Sequence, residues 1–279
     1  MTMTELSLLP YSSHDWRGYV APDWREAFQD FDAWLAQQPQ ERIVDKPTRQ
    51  VLRVTSPQVT VYVKTVSSLV DGRHVWLDVL KRLKWRLRPS RAIRTLRIMR
   101  TMLDAGVRCP EPLLAIRRRR HPFASPEDII VTRELAMPTL HAAIMDTAPE
   151  QRADLLRQAL PDIFDFHHRG FVHGDFLAGN MMWDGQHVHF IDHDRTWRRL
   201  PQGTRDERFR NLVQFCYHLE MGTRQLELGE QFLVGYNRLA EAAYGQPLVE
   251  VDALQALVYR KLVRKIRKYD LENWLPPQP

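Results

Sequence analysis

Cysteine is nearly missing from this chain. Cys109 and Cys216 are too few and too far apart to suggest a disulfide framework or a four-cysteine zinc site, so a reducing compartment is expected. No apolar run approaches transmembrane length, and the opening stretch MTMTELSLLPYSSHDW lacks the basic start and continuous apolar core of a signal peptide. The expectation is a cytoplasmic protein, at most peripheral on the inner membrane. Internal repeats and low-complexity tracts are also absent. Acidic residues are almost missing from residues 81–120, where 14 Lys and Arg face only Asp104 and Glu111, a local charge of +12. Since the net charge is +6, the rest of the chain carries −6. Such polarity implies an anionic partner at one face: nucleic acid, a phosphate-rich glycolipid or an anionic membrane.

What is present suffices for one large core or two modest lobes, with 279 residues of which 44% are hydrophobic. Trp24, Phe28, Phe31 and Leu35 recur at helical spacing and predict an amphipathic helix over 21–38. Residues 50–55 and 60–66 flank Ser56-Pro57-Gln58 and predict a hairpin, with Lys64 on the face opposite Val61 and Val63. Residues 76–104 carry a helical pattern broken near Pro89, with Leu80, Leu83 and Leu87 and then Ile93, Leu96 and Leu103 on its apolar faces. Gly106 supplies a C-cap. Two more strands are expected at 113–117 and 128–134, followed by an Ala136-Met137-Pro138 linker. The boundary is therefore placed between an N-terminal part, 1–136, and a C-terminal part, 137–279. The latter is mostly helical, with helices over 149–168 (despite Pro161), 206–221, 225–243 and 251–269, and one hairpin around Asp184-Gly185.

Chemistry concentrates in the run Val172-His173-Gly174-Asp175-Phe176-Leu177-Ala178-Gly179-Asn180, the hairpin that follows, and Phe190-Ile191-Asp192. Phosphoryl transfer from ATP needs an Asp to accept or orient the proton of the acceptor hydroxyl. It also needs an Asn five residues later that shares Mg²⁺ with a second Asp beyond a short hairpin. Asp175, Asn180 and Asp192 have this spacing. One Asn and one Asp suit a hard cation that keeps room for phosphate oxygens, and Lys64 on its strand can pair with the α- and β-phosphates. Taken singly, each residue is as well explained as a turn or strand-end residue. Their combination with a strand lysine upstream and helices downstream is what is specific.

These runs, VYVK at 61–64, VHGDFLAGN at 172–180 and FIDHDR at 190–195, resemble the lipopolysaccharide core kinases, the Kdo and heptose kinase family of the protein-kinase-like superfamily. SRAIRTLRIMRTMLDAGVRCPEP at 90–112 and FLVGYNRL at 232–239 are also similar to segments of that family. The resemblance covers roughly residues 45–240. It implies an α+β, bilobal protein-kinase-like fold with a small β-rich N-lobe and a larger, mainly helical C-lobe. It implies use of ATP and Mg²⁺, with Asp175 as base, Asn180 and Asp192 as metal ligands and Lys64 as phosphate contact. Two departures stand out. The turn Asp45-Lys46-Pro47-Thr48-Arg49 has no glycine, so phosphate cover falls to Arg49 or to backbone amides. Residues 81–103 contain no Glu, so the usual helix partner of the strand lysine is missing from its expected place. Glu134, just before the linker, is expected to mark the hinge whose backbone meets adenine.

Gly174 stands where protein kinases carry Arg, and no Ala-Pro-Glu segment follows Asp192. Both absences favour a small or glycolipid acceptor over a peptide. Arg195, Arg198, Arg199 and Arg205 suit its carboxylate or phosphate, the alternative being a solvated loop. Trp76, Trp85 and the stripe Arg91, Arg94, Arg97, Arg100 fit an interfacial helix on an anionic membrane; nucleic acid is not expected. His187, His189 and His193 with Asp192 and Asp194 imitate a metal cluster, but the first two would share one hairpin face and Asp192 is already used. His167 and His168 are taken as helix-end residues, and His173 as an anchor of its loop. Two other readings remain: another small-molecule kinase of the same fold, such as an aminoglycoside or choline-type enzyme, and a non-catalytic kinase-like binding module. A cationic acceptor would call for an acidic cleft, which the basic loop opposes.

Overall fold

A computed structural model describes residues 8–67, 88–118, 126–199 and 205–269. The chain forms two compact units, one of residues 1–101 and 110–135, the other of residues 102–109 and 136–279.

The first unit is built on a seven-stranded antiparallel sheet in the order β1-β2-β6-β7-β5-β4-β3. Its strands are β1 (Leu9–Ser13), β2 (Trp16–Val20), β3 (Gln40–Lys46), β4 (Arg49–Thr55), β5 (Thr60–Ser67), β6 (Pro112–Arg118) and β7 (Glu127–Arg133). The expected hairpin of β4 and β5 is present. Ser56 closes it, its Oγ donating to Val59 O at 2.8 Å. Val61 and Val63 are fully buried while Lys64, between β4 Val51 and β7 Ile130, lies on the opposite face. Strands β1 and β2, which carry no turn signal of the Asn-Gly kind, join through a two-residue turn with His14 at φ 47°. Gly18 is required where β2 crosses β6, because a Cβ there would stand 2.0 Å from Ala115 O.

The 21–38 helix is much shorter than its periodicity predicts. A 3-10 turn spans Pro22–Trp24, and only α1 (Phe31–Gln37) is α-helical. Asp30 interrupts the run in extended conformation and caps α1, accepting from Ala33 N at 3.1 Å. The aromatic residues are nevertheless the core: Trp24, Phe28 and Phe31 are buried with Tyr11, Trp16 and the sheet residues Leu52, Val54, Leu113, Leu114 and Ile116. Helix α2 (Arg91–Asp104) turns its buried side through Ala92, Thr95, Leu96, Met99 and Met102 rather than through Ile93 and Leu103, which are only partly buried. Gly106, at φ 77°, ends it as expected, with Val107 N donating to Met102 O at 2.8 Å. The upstream half of that helical pattern, with Trp76, Leu80, Leu83, Trp85 and Leu87, lies outside the described residues.

The second unit holds α3 (Leu140–Asp146), α4 (Arg152–His168), α5 (Arg205–Thr223), α6 (Glu227–Tyr244) and α7 (Val251–Tyr269). Two small antiparallel pairs sit among them: the hairpin of β9 (Met181–Trp183) with β10 (Val188–Phe190), and β8 (Phe171–His173) with β11 (Thr196–Arg198). The turn between β9 and β10 is four residues long, not two, because Asp184 Oδ1 accepts from both Gln186 N and His187 N while Gly185 takes φ 96°. Aromatic rings fill the interior. Phe166 stacks on Phe190 at 4.3 Å between centroids, and Phe176 lies 6.0 Å from Phe215, which lies 4.6 Å from Phe232. Among the described residues no helix is long and apolar enough to cross a membrane.

Candidate active site

The loop carrying Asp175 is pinned at both of its neighbours. On one side His173 is buried, and on the other Phe176 inserts into the aromatic core. His173 accepts at Nδ1 from Asp175 N (3.1 Å), which leaves Nε2–H to donate to Ile191 O at 3.0 Å. Burial holds its pKa below the usual histidine range, so the ring is neutral. This one side chain ties the Asp175 loop to the segment that presents Asp192. It is the anchoring task the sequence suggested.

Helix α5 completes the clamp with two amides one turn apart. Asn211 donates to His173 O at 2.6 Å and accepts from His173 N at 3.1 Å. Gln214 accepts from Phe176 N at 3.1 Å and donates to Asp175 Oδ1 at 2.9 Å. Neither amide was singled out from sequence, since an isolated Asn or Gln carries no pattern; their signal is a polar pair at i, i+3 amid Leu212, Val213, Phe215 and Cys216. His167 is also more than a helix-end residue. Fully buried, it bonds Asn211 Oδ1 through Nε2 at 3.2 Å and Tyr236 Oη through Nδ1 at 3.0 Å, and burial lowers its pKa to about 3.

Asn180 and Ile191, the residue before Asp192, enter the same network. Asn180 Nδ2 donates to Asp175 O at 2.9 Å, which leaves the amide oxygen as its hard donor atom, and Ile191 N donates to Asn180 O at 3.0 Å. Asp192 adopts a left-handed conformation, φ 60° and ψ 57°, which costs an L residue about 1 kcal/mol and which Asp tolerates better than most. That backbone turn ends the run out of β10 and begins the 3-10 segment His193–Arg195. Beyond it, Arg195 O accepts from Gly174 N at 2.8 Å, and Arg195 Cβ would stand 2.5 Å from any Cβ at position 174. Glycine there is thus a packing requirement. Within this unit, Asn180 is hydrogen-bonded to Asp175, and Asp192 directly follows Ile191, whose backbone bonds both Asn180 and His173.

The other three candidates lie in the first unit. Lys64 sits in the middle of β5, and Arg49 begins β4 opposite Val66. Glu134 follows β7, and its carboxylate is gripped by Arg53 (Nε–Oε1 2.7 Å, Nη2–Oε2 3.0 Å) and by Tyr62 Oη at 3.2 Å. The arginine bonds hold its pKa below the ordinary carboxylate range. Glu134 N donates to Thr60 O at 3.0 Å.

Outside this cluster the histidines have other partners. His187 lies in the turn rather than on a hairpin face and meets Asp162 at 3.3 Å, His189 meets Asp184 at 3.0 Å, and His193 bonds Phe190 O at 2.8 Å. Among the described residues no group of three or more His, Cys, Asp or Glu is arranged to hold a metal. A cation held by one Asn and one Asp, with phosphate oxygens and water completing an octahedron, needs no such group. Of the basic segment, Arg198 donates to Arg169 O at 3.0 Å and covers the Phe171 ring, while Arg199 reaches Glu207 at 3.5 Å. The Arg205 side chain lies outside the described residues.

Comparison with known proteins extends this picture. No curated protein sequence matches the chain. Among solved structures, WaaP in complex with acyl carrier protein superposes with a TM-score of 0.57 at 20% identity, covering 88% of this chain and 96% of that one. WbdD, in a co-crystal with the kinase inhibitor LY294002, aligns with a TM-score of 0.43 at 16% identity over 78% of this chain and 44% of that one. The fold is accordingly protein-kinase-like, α+β, with the β-rich sheet in the N-terminal part and helices dominating the C-terminal part. The sequence profile of the lipopolysaccharide kinase (Kdo/WaaP) family matches residues 32–231, well over half of the chain. The chain therefore belongs to the lipopolysaccharide kinase (Kdo/WaaP) family and is a phosphotransferase with an alcohol group as acceptor.

Proposed function

We propose that this kinase transfers the γ-phosphate of ATP to a hydroxyl of a Kdo or heptose residue in the lipopolysaccharide inner core. The observation that carries the reading is the clamp on Asp175: its backbone is fixed by His173, and its carboxylate is oriented by Gln214. A carboxylate held in this way accepts the proton of an approaching sugar hydroxyl as the oxygen attacks phosphorus. Asn180 and Asp192 are the proposed Mg²⁺ ligands, and the bound ion would supply charge neutralisation between the β- and γ-phosphates. Lys64 is assigned to the α- and β-phosphates and Arg49 to phosphate cover in place of a glycine-rich loop. Glu134 marks the adenine hinge. Because its N–H is engaged by Thr60, its own contribution there would be the carbonyl oxygen.

Positioning and charge stabilisation are nearly all that phosphoryl transfer asks of a protein, so these residues account for the reaction without a covalent intermediate. The test is to incubate purified protein with labelled ATP, Mg²⁺ and a panel of Kdo- and heptose-bearing core lipids. Label is expected in one of these lipids, and Asp175→Asn should reduce transfer by about 10³-fold while Mg-ATP affinity and the unfolding midpoint hold. A folded Asp175→Asn protein of full activity removes Asp175 from the role. Label in none of the lipids, with ATP bound, favours a kinase-like binding module.

A further inference from the structure

Beside the Asp175 loop, within the second unit, lies a cavity of about 590 Å³ to which no role has been given above. One wall is the loop itself, Val172 to Gly174, with Asn211 and Gln214 of α5 next to it. The facing wall is the last described helix, α7, which contributes Lys261, Arg264 and Lys265, and α5 adds Arg210. Four Lys and Arg side chains thus line the space against one acid, Glu207, which accepts from Trp197 Nε1 at 3.3 Å and lies 3.5 Å from Arg199. His218 also lines this space. Burial lowers its pKa, Asp175 acts to raise it, and Lys265 and Lys261 act to lower it, which places all of them within electrostatic reach of one imidazole.

Gln214 fixes the relation of this cavity to the chemistry. It lines the cavity and also donates to Asp175 Oδ1 at 2.9 Å, so a molecule in the cavity lies within one side chain of the carboxylate. A space of several hundred Å³ has room for a sugar ring, whose apolar face can lie on Val172, Trp197 and Tyr217. Its cationic wall suits an anionic substituent on that ring.

We infer that Lys261 and Arg264, with Arg210, form an anion subsite that holds a carboxylate or phosphate of the acceptor sugar while one of its hydroxyls faces Asp175. The inference deepens the kinase reading above and rests on it. It assigns to α7 a part in acceptor choice.

Lys261 and Arg264 are both exposed, so their replacement spares the core. The full chain is titrated calorimetrically with Kdo as the carboxylate probe, glucose 6-phosphate as the phosphate probe, neutral glucose, and inorganic phosphate alone. The parent should bind both anionic sugars at least about tenfold tighter than glucose and tighter than inorganic phosphate. The double variant Lys261→Gln/Arg264→Gln should lose that preference, Lys261→Arg/Arg264→Lys should keep it, and Mg-ATP affinity should be equal in all three. In turnover, the KM of an anionic acceptor should rise on the order of tenfold in the double Gln variant, with kcat retained. Equal anion preference in the parent and the double Gln variant overturns the subsite, as does a parent that binds inorganic phosphate as tightly as the sugars. Selective sugar binding without transfer to any core lipid overturns the kinase reading and leaves the anion site standing; transfer with an unchanged KM in the double Gln variant does the reverse.

Discussion

Gly174 and Asp175 are adjacent, yet they are constrained by different physics. Asp175 is held by hydrogen bonds, that to its carboxylate coming from Gln214 outside its loop, whereas Gly174 is held by lack of space: backbone and Cβ of Arg195 occupy the volume a side chain would need. A backbone neighbour cannot swing aside as a side-chain tip can. Gly174→Ala should therefore destabilise the second unit by about 1–3 kcal/mol and, by moving the loop a fraction of an ångström, slow turnover on the order of tenfold to a hundredfold. Gly179→Ala, with nothing within 4 Å of the added Cβ, is the control and should be close to neutral. Denaturant unfolding and single-turnover transfer measured on both variants check this. Equal behaviour would mean that Arg195 yields. The sequence could point to Asp175, Asn180 and Asp192 because their spacing is a feature of the chain. It could not point to Asn211 and Gln214, because their meaning arises only when α5 is laid beside the loop.

At the scale of elements, the buried histidines join helices to loop. His167 on α4 and His173 at the end of β8 meet through Asn211 of α5, and each ring is neutral because burial penalises its charged form. Protonation therefore favours the unfolded chain. The stability these rings contribute is complete above the unfolded histidine value of about 6.5 and is lost as pH falls toward the folded value. For His167, at about 3 in the folded state, the loss between pH 7 and pH 5 is about 2 kcal/mol, and His173 adds in the same direction. Urea unfolding at the two pH values should show this loss in the parent and a smaller one in His167→Gln. An unchanged slope in the variant would assign the acid sensitivity to other groups. Elements with a local signal were readable beforehand, among them the β4–β5 hairpin with its Ser-Pro turn, the Gly106 cap and α7. Helical spacing overstates the helix at 21–38 because aromatic residues at that spacing also describe a compact loop whose side chains gather on one core, and Asp30 caps a new helix in the middle of the pattern.

At the scale of the whole molecule, charge is the property that composition announces and the fold distributes. Along α2, Arg94 and Arg97 are exposed and Arg91 and Arg100 half-buried, with the Arg97 guanidinium 5.9 Å from the Tyr19 ring centroid. We propose that this stripe seats the protein on an anionic membrane, each cation near such a surface contributing on the order of 1 kcal/mol. Replacing Arg91, Arg94, Arg97 and Arg100 with Gln should release the protein from anionic vesicles in co-sedimentation, and binding by the parent should fall as salt rises. Turnover of a soluble, delipidated acceptor should persist. Vesicle binding equal to the parent's would make the stripe a solvated face. The seven-stranded sheet carries a different burden, that of its own edges. Strand β3 closes one side with Glu41, Arg42, Asp45 and Lys46, charges that discourage another strand from docking. The opposite edge is β1, which carries Pro10; the strand two places inside it, β6, is buried along Pro112–Arg117 and is an inner strand only because β2 pairs with it and β1 with β2. Until those first strands are in place, or in any shortened chain that lacks them, β6 is an apolar template with open hydrogen-bonding groups, and the species expected from it is an aggregate assembled edge to edge.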